Sequence, residues 1–419
     1  MFGRIKEKDI QNYLYRNLEE LPSWIWLNNL KIQYQLNRED LIFHPLKYLL
    51  NKKYHHVFEK MSYFSEHLHK FSKEFVTAEL WKSKPRMDIL AYHEDPCTFY
   101  IVEVKWDKNP ERQTLTELLQ YANWLQNNDF PWLPNDDIVF VVVAQEWSNI
   151  LIQSVVNAIA FKGLNILPIE VKWKNIKNLS FTFFDLWNVW VLENLDQQIY
   201  NEENYPVRMI TFDEFQPGVQ NGILKSDYND IQTITMSAAV ELSRSSIMGY
   251  ILWMEYDGNS VFKNAIAMLF FNPMSLWTKN WDIFTNNKSQ EMDIFSRENE
   301  YFPNMDVLRR NIEFHYPKNN ISYEEWDEWI SFSWLNSRGW RFSYGYPIGF
   351  LEILIRDLVS YCREDKDFAY KIVETDDVDW RDQISHWMYL DALFRIKKSN
   401  TNSIEEYVTQ EFALDNSDL

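Results

Sequence analysis

The sequence predicts an α/β protein: a mixed sheet with flanking helices in the N-terminal half, followed by a second, mainly helical α+β domain. Three observations predict it. Period-two alternation runs through "RMDILAYH" (86–93) and "TFYIVEVKW" (98–106). The run "DIVFVVVA" (137–144) is apolar on both faces after its leading Asp137, as a strand covered on both faces should be. Apolar stripes at helical spacing separate these runs, so strands and helices alternate as in a partly parallel sheet.

In chain order, "KEKDIQNYLYRNLEELP" sets Ile10, Tyr13, Leu14, Leu18 and Leu21 at helical spacing, with Pro22 as the stop. "LKIQYQL" (30–36) alternates and predicts a short strand. Residues 37–73, rich in aromatics and histidine, predict an inserted helical segment. "FVTAELW" (75–81) is the next strand candidate, and "EDPC" joins the two strands at 86–93 and 98–106. Asn109 and Pro110 supply an N-cap and a first helical residue for a stripe of Leu115, Leu118, Leu119, Ala122 and Leu125. A helix near 150–162 and the strand "NILPIEV" (165–171) complete a strand–helix–strand unit, expected to cross over right-handed. From about 205 the chain becomes acidic and rich in tryptophan, with helices expected at 237–253, 347–362 and 380–397. The expected domains are 1–200 and 201–419.

The charge is unevenly spread. Residues 1–175 carry 21 Lys and Arg against 22 Asp and Glu, whereas the remainder carries 21 against 39. Long-range attraction to a polyanion cannot come from the second half, so nucleic-acid binding would belong to the first. The acidic, tryptophan-rich half is suited to a protein partner or homo-oligomer. Cys97 and Cys362 lie too far apart in sequence for a disulfide framework or a cysteine zinc site. No apolar run approaches ~18 residues and no secretory signal is visible, which predicts a cytoplasmic protein with no membrane role. No GK[ST] phosphate loop occurs.

The hairpin carries the chemistry. A two- or four-residue loop at "EDPC" pairs residues whose numbers sum to 191, which sets Asp88 opposite Glu103. Lys105, two residues on, shares their face, while Met87, Ile89 and Ala91 pack the other with Val102, Val104 and Trp106. Opposed carboxylates repel unless one is protonated or a cation sits between them. Two carboxylates and water suit Mg²⁺ or Mn²⁺, and a nearby lysine adds a point charge. The plainer reading is an ordinary salt bridge across two strands. The histidines offer less: His67 and His69 do not face each other on a helix, His55 and His56 are adjacent, and His93 flanks a surface turn.

"MDILAY…YIVEVKW" resembles the Asp…Glu-x-Lys core of the PD-(D/E)xK nuclease superfamily, and "EKDIQNYLYRNLEEL" is similar to the first helix of its NucS-type, RecB-like branch. The resemblance spans residues 4–35 and 75–172. It implies a restriction-endonuclease-like sheet, metal held by Asp88, Glu103 and the main-chain carbonyl of Val104, and Lys105 assisting the attacking water. It implies a further glutamate, for which Glu7 on the first helix and Glu79 before the hairpin compete. The relatives' Gln-x-x-x-Tyr reads Glu117 to Tyr121 here, so Tyr121 matches and a glutamate replaces the glutamine. The proline directly before the first Asp is missing, Met87 standing there, as it is missing in many relatives.

The implied activity is a metal-dependent endonuclease, with DNA favoured over RNA, in anti-phage defence or restriction. "KSKPR" (82–86) is placed to meet a phosphate backbone. Two other classes compete: a non-catalytic nucleic-acid- or protein-binding scaffold on a nuclease fold, and an assembly protein that uses its aromatics at interfaces.

Overall fold

The computed structural model describes residues 6–64, 68–76, 86–95, 97–105, 118, 120–122, 125, 134–173, 179–188, 192, 196–205, 207–213, 225–244, 248–256, 262–271, 305–315, 323–330, 335, 337–373, 386–399 and 404. The chain forms two compact units, Met1–Asn37 with Leu46–Glu193, and Arg38–Pro45 with Asn194–Leu419. Both combine helices with a sheet.

In the first unit, α1 (Glu7–Arg16) buries Ile10 and Leu14, one turn apart. It ends before the expected stop. The Asn17 N–H closes onto the carbonyls of Tyr13 and Leu14, and a short 3-10 turn follows at Leu18–Glu20. Pro22 instead lies in the first turn of α2 (Leu21–Trp24), where a missing N–H costs no intrahelical bond.

"LKIQYQL" is not a strand either. It falls largely in α3 (Leu27–Gln33), and the buried positions Leu27, Leu30 and Tyr34 follow three-and-four spacing. Of the expected helical segment 37–73, Arg38–Phe43 (α4, in the second unit) and Pro45–Met61 (α5) are helical. Its end is not: β1 (Leu68–Val76) pairs with β2 (Arg86–His93) at the sheet edge. Residues 77–81 of the next strand candidate lie outside the described residues.

The sheet runs β1-β2-β3-β4-β5-β6, with β3 Thr98–Lys105, β4 Ile138–Ala144, β5 Asn165–Trp173 and β6 Leu179–Phe183. It is mixed: β3, β4 and β5 are mutually parallel and the outer pairs antiparallel. Every residue of β4 is buried, as its apolar run requires. Helix α6 (Asn149–Ala160) connects β4 to β5, and Ser148 caps it by accepting the Leu151 N–H at 3.3 Å. Leu118, Ala122 and Leu125 of the apolar stripe are buried, and Asn109, Pro110, Leu115 and Leu119 lie outside the described residues.

The second unit is α+β, as expected, with helices packed on a sheet. It is built on a five-stranded antiparallel sheet ordered β10-β7-β9-β8-β11. Its strands are β7 Val207–Asp213, β8 Gly249–Tyr256, β9 Phe262–Phe270, β10 Tyr323–Ile330 and β11 Trp340–Ile348. The helix expected at 237–253 is two elements, the end of α7 (Lys225–Arg244) and the strand β8. Its helices continue with α8 (Asp306–His315), α9 (Phe350–Glu364), α10 (Lys366–Val373) and α11 (His386–Lys398).

Ile251, Trp253, Ile266 and Met268 on one sheet face pack with Ile234, Ala238 and Leu242 of α7 and Leu308 and Ile312 of α8. Tyr250, Leu252 and Met254 alternate onto the opposite face and are also buried. A strand buried on both sides loses its period-two signature, which is why β8 reads as part of a helix. Trp340 is nearly buried against Tyr256, as core aromatics are. No helix among the described residues is long and apolar enough to cross a membrane.

Candidate functional site

From Ile89 to His93 the hairpin has the register the sequence predicts, but the expected rung of Asp88 opposite Glu103 is not formed. Ile89 pairs with Val102, Leu90 with Ile101, Ala91 with Tyr100, Tyr92 with Phe99 and His93 with Thr98, around a four-residue turn. Cys97 adopts a left-handed φ of 47°, and its N–H returns to the Glu94 carbonyl at 3.0 Å. His93 is fully buried rather than on a surface turn, because the last rung of the ladder carries it onto the inner face. His69 lies on β1, not on a helix, with Nε2 3.2 Å from Glu94 Oε1.

Alternation then divides the side chains. Tyr100 and Val102 face α5: the Tyr100 hydroxyl donates to the Lys60 carbonyl at 3.0 Å and its ring meets Phe64 edge-on. Asp88, Leu90 and Tyr92 share the other face with Phe99, Ile101, Glu103 and Lys105; the Tyr92 and Phe99 rings lie 4.7 Å apart. Helix α1 packs against β1, β2 and β3, and its side chains reach Asp88 on that second face.

Beyond the Ile89–Val102 rung the two strands part, although both continue. Asp88 spans the fork. Its Oδ2 accepts the main-chain N–H of Val104 at 2.7 Å, so a side chain takes an amide that the ladder no longer serves. On the other edge, β4 holds Glu103, Val104 and Lys105 in parallel register with Val142, Val143 and Ala144. The fork is thus anchored by the most buried strand of the sheet.

Five polar side chains lie at or beside the fork, in two hydrogen-bonded groups. Gln11 donates through Nε2 to Asp88 Oδ1 at 2.8 Å and to Glu7 Oε1 at 3.1 Å. Lys105 Nζ donates to Glu103 Oε1 at 2.8 Å, with both side chains largely shielded from solvent. Asp88 also feels the charges of Glu7 and Lys105. Its pKa is pushed up to about 6, first by burial and further by Glu7, while the Val104 N–H, the Lys105 ammonium and the Gln11 amide pull the other way.

Of the expected residues, Asp88, Glu103, Lys105 and Glu7 thus stand at or beside one fork. Between the competing glutamates, Glu7 is linked to Asp88 through Gln11, and Glu79 lies outside the described residues, as do Glu117 and Lys82–Pro85. Tyr121 is buried in a helical segment. Gln11 was not anticipated. Its signal was a polar residue one turn after Glu7 on a helix whose neighbours Ile10 and Leu14 are core, and it is only 5% exposed.

The donor set around Asp88 is carboxylate oxygen, which suits a hard divalent cation rather than a thiophilic one. Each Asp88 oxygen accepts one hydrogen bond, and a carboxylate offers about four acceptor positions, so coordination capacity remains. Among the described residues, however, no group of three or more His, Cys, Asp or Glu side chains is arranged to hold a metal ion. An ion at the fork would draw on Asp88 and Glu103 with main-chain oxygen and water.

No protein-family model, curated protein or solved structure matches the chain.

Proposed function

We propose that the first unit is a metal-dependent nuclease of the PD-(D/E)xK type, on a restriction-endonuclease-like sheet, hydrolysing phosphodiesters of DNA in preference to RNA. The observation that carries the reading is the fork: Asp88 fixed to the Val104 amide, with Lys105 on Glu103 and Glu7 joined to Asp88 through Gln11. Paired acids and an amine at a break in the sheet are costly for stability alone, since like carboxylates repel and burial penalises their charge.

Asp88 and Glu103, with the main-chain carbonyl of Val104, would hold Mg²⁺ or Mn²⁺. Such an ion lowers the pKa of water and neutralises charge developing on a phosphate. Lys105 presents a fixed positive charge beside Glu103, where it orients the attacking water and meets the phosphate. Asp88 must be ionised to bind a cation, so its raised pKa sets a lower pH limit for the site. The second unit, with its acidic sequence, would serve as an accessory module for a protein partner or a second copy of the chain. A role in anti-phage defence or restriction rests on the family resemblance.

The test is incubation of the purified chain with Mg²⁺ or Mn²⁺ and single-stranded DNA, double-stranded DNA and RNA. Cleavage by wild type, lost in Asp88→Ala and Lys105→Ala, is the expected result. No cleavage of any substrate, or equal cleavage by the variants, overturns it.

A second reading has one observation in its favour: no three-residue ligand group is preformed among the described residues. A non-catalytic scaffold on the same fold would bind nucleic acid or protein without taking up a divalent ion. Absence of Mn²⁺ binding together with retained nucleic-acid or protein binding would select it.

A further inference from the structure

We infer that the groove between α7 and α9 over β11, in the second unit, binds a small organic monoanion: an apolar body carrying one carboxylate. The inference is independent of the chemistry at the fork. The groove holds a cavity of about 480 Å³, the size of a small-molecule site rather than of a protein interface.

One wall and the floor are apolar. Met236, Ala239 and Val240 follow three-and-four spacing on α7 and form the wall, with Tyr346 and Pro347 of β11 beneath. Met236 and Val240 are 54% and 43% exposed, although Ile234, Ala238 and Leu242 already give α7 its core stripe. The helix thus carries a second apolar strip that the fold does not bury.

The facing wall is charged. Glu352, Arg356, Ser360 and Arg363 recur at helical spacing on α9, so one face of that helix brings two guanidinium groups to the groove. The Arg356 side chain is 63% exposed, and its Nε lies 3.8 Å from the adjacent Asp357, beyond hydrogen-bond reach, so the guanidinium can turn to an anion. Glu241 of α7 is ion-paired with Arg310 of α8 and is not part of the lining.

An apolar strip facing arginines selects a ligand that is apolar along its body and anionic at one end. Burial of the body supplies affinity, and a guanidinium takes a carboxylate through two parallel N–H bonds, with the Ser360 hydroxyl as a further donor. A second negative charge is disfavoured. Glu352 stands on the same wall, and residues 176–419 carry 39 Asp and Glu against 21 Lys and Arg. A carboxylate therefore fits better than a phosphate monoester, which carries up to about two charges.

The test titrates the full chain with anilinonaphthalene sulfonate, an apolar dye with one anionic group whose fluorescence rises in an apolar site. Octanoate, octanol and octyl phosphate then compete, alike in chain and different in charge. Expected are one saturable site and displacement by octanoate at about tenfold lower concentration than by octanol, as a charged hydrogen bond implies. Octyl phosphate should compete no better than octanoate. Arg356→Gln should erase the advantage of octanoate, and Val240→Glu should abolish dye binding. Met236→Glu, one turn earlier on the same wall, serves should Val240→Glu fold poorly by circular dichroism.

Absence of dye binding, equal competition by octanol, tighter binding of octyl phosphate, or wild-type dye binding in the α7 variants overturns the proposal. So does a dimer in light scattering that Val240→Glu dissolves, which would make the groove an interface between copies of the chain.

Discussion

The carboxylate of Asp88 accepts the main-chain N–H of Val104 at 2.7 Å, across the point where β2 and β3 separate. A side chain thereby replaces a rung of backbone pairing, and its second oxygen is left to face α1 through Gln11. The same carboxyl is the site's titrating group, pushed up to about 6 by burial and by Glu7.

The first prediction concerns pH. Because the folded pKa lies above the ordinary carboxylate value, the folded protein keeps a proton that the unfolded chain has lost. The contribution to stability is therefore full below about pH 4 and declines as pH rises through about 6, by about 3 kcal/mol. Asp88→Asn cannot titrate, so wild-type stability relative to Asp88→Asn should fall by about that amount from pH 4 to 7. Urea unfolding across that range measures it. A difference independent of pH contradicts the electrostatics.

The hairpin shows how much of this was legible. Period-two alternation and the length of "EDPC" gave the register, because a one-residue slip would move Ile89 and Val102 to the wrong face. Glu103 and Lys105 followed from it. Gln11 did not, since its role depends on how α1 crosses the sheet, 77 residues from Asp88 in sequence. "LKIQYQL" failed because seven residues match a two-residue period and a helical one about equally. In the second unit, buried strands such as β8 read as uninterrupted apolar sequence, and that run merges with the end of α7.

Lys105 and Glu103 form a shielded ion pair at 2.8 Å. Lys105→Met leaves a buried carboxylate without that partner and should cost about 3 kcal/mol. Adding Glu103→Gln should recover most of the loss, because the charge is removed as well. Urea titrations of the two variants decide it; an additive further loss in the double variant means the pair is not the source.

Gly249 opens β8 at a φ of +150°, and a Cβ there would lie 1.9 Å from the Leu269 carbonyl oxygen of the paired strand β9. Gly249→Ala should therefore cost more than about 3 kcal/mol by forcing β8 and β9 apart. Differential scanning calorimetry checks it. A melting temperature unchanged from wild type means the strands accommodate the methyl group.

The fork makes one claim that diffraction can address at the atom. Crystals of the full chain grown with Mn²⁺ should show an anomalous difference peak in contact with the carboxylates of Asp88 and Glu103. The peak should vanish in Asp88→Ala crystals treated alike. Full occupancy of Mn²⁺ elsewhere in wild type with none at these two acids, or a peak that persists in Asp88→Ala, would contradict a metal site at the break between β2 and β3.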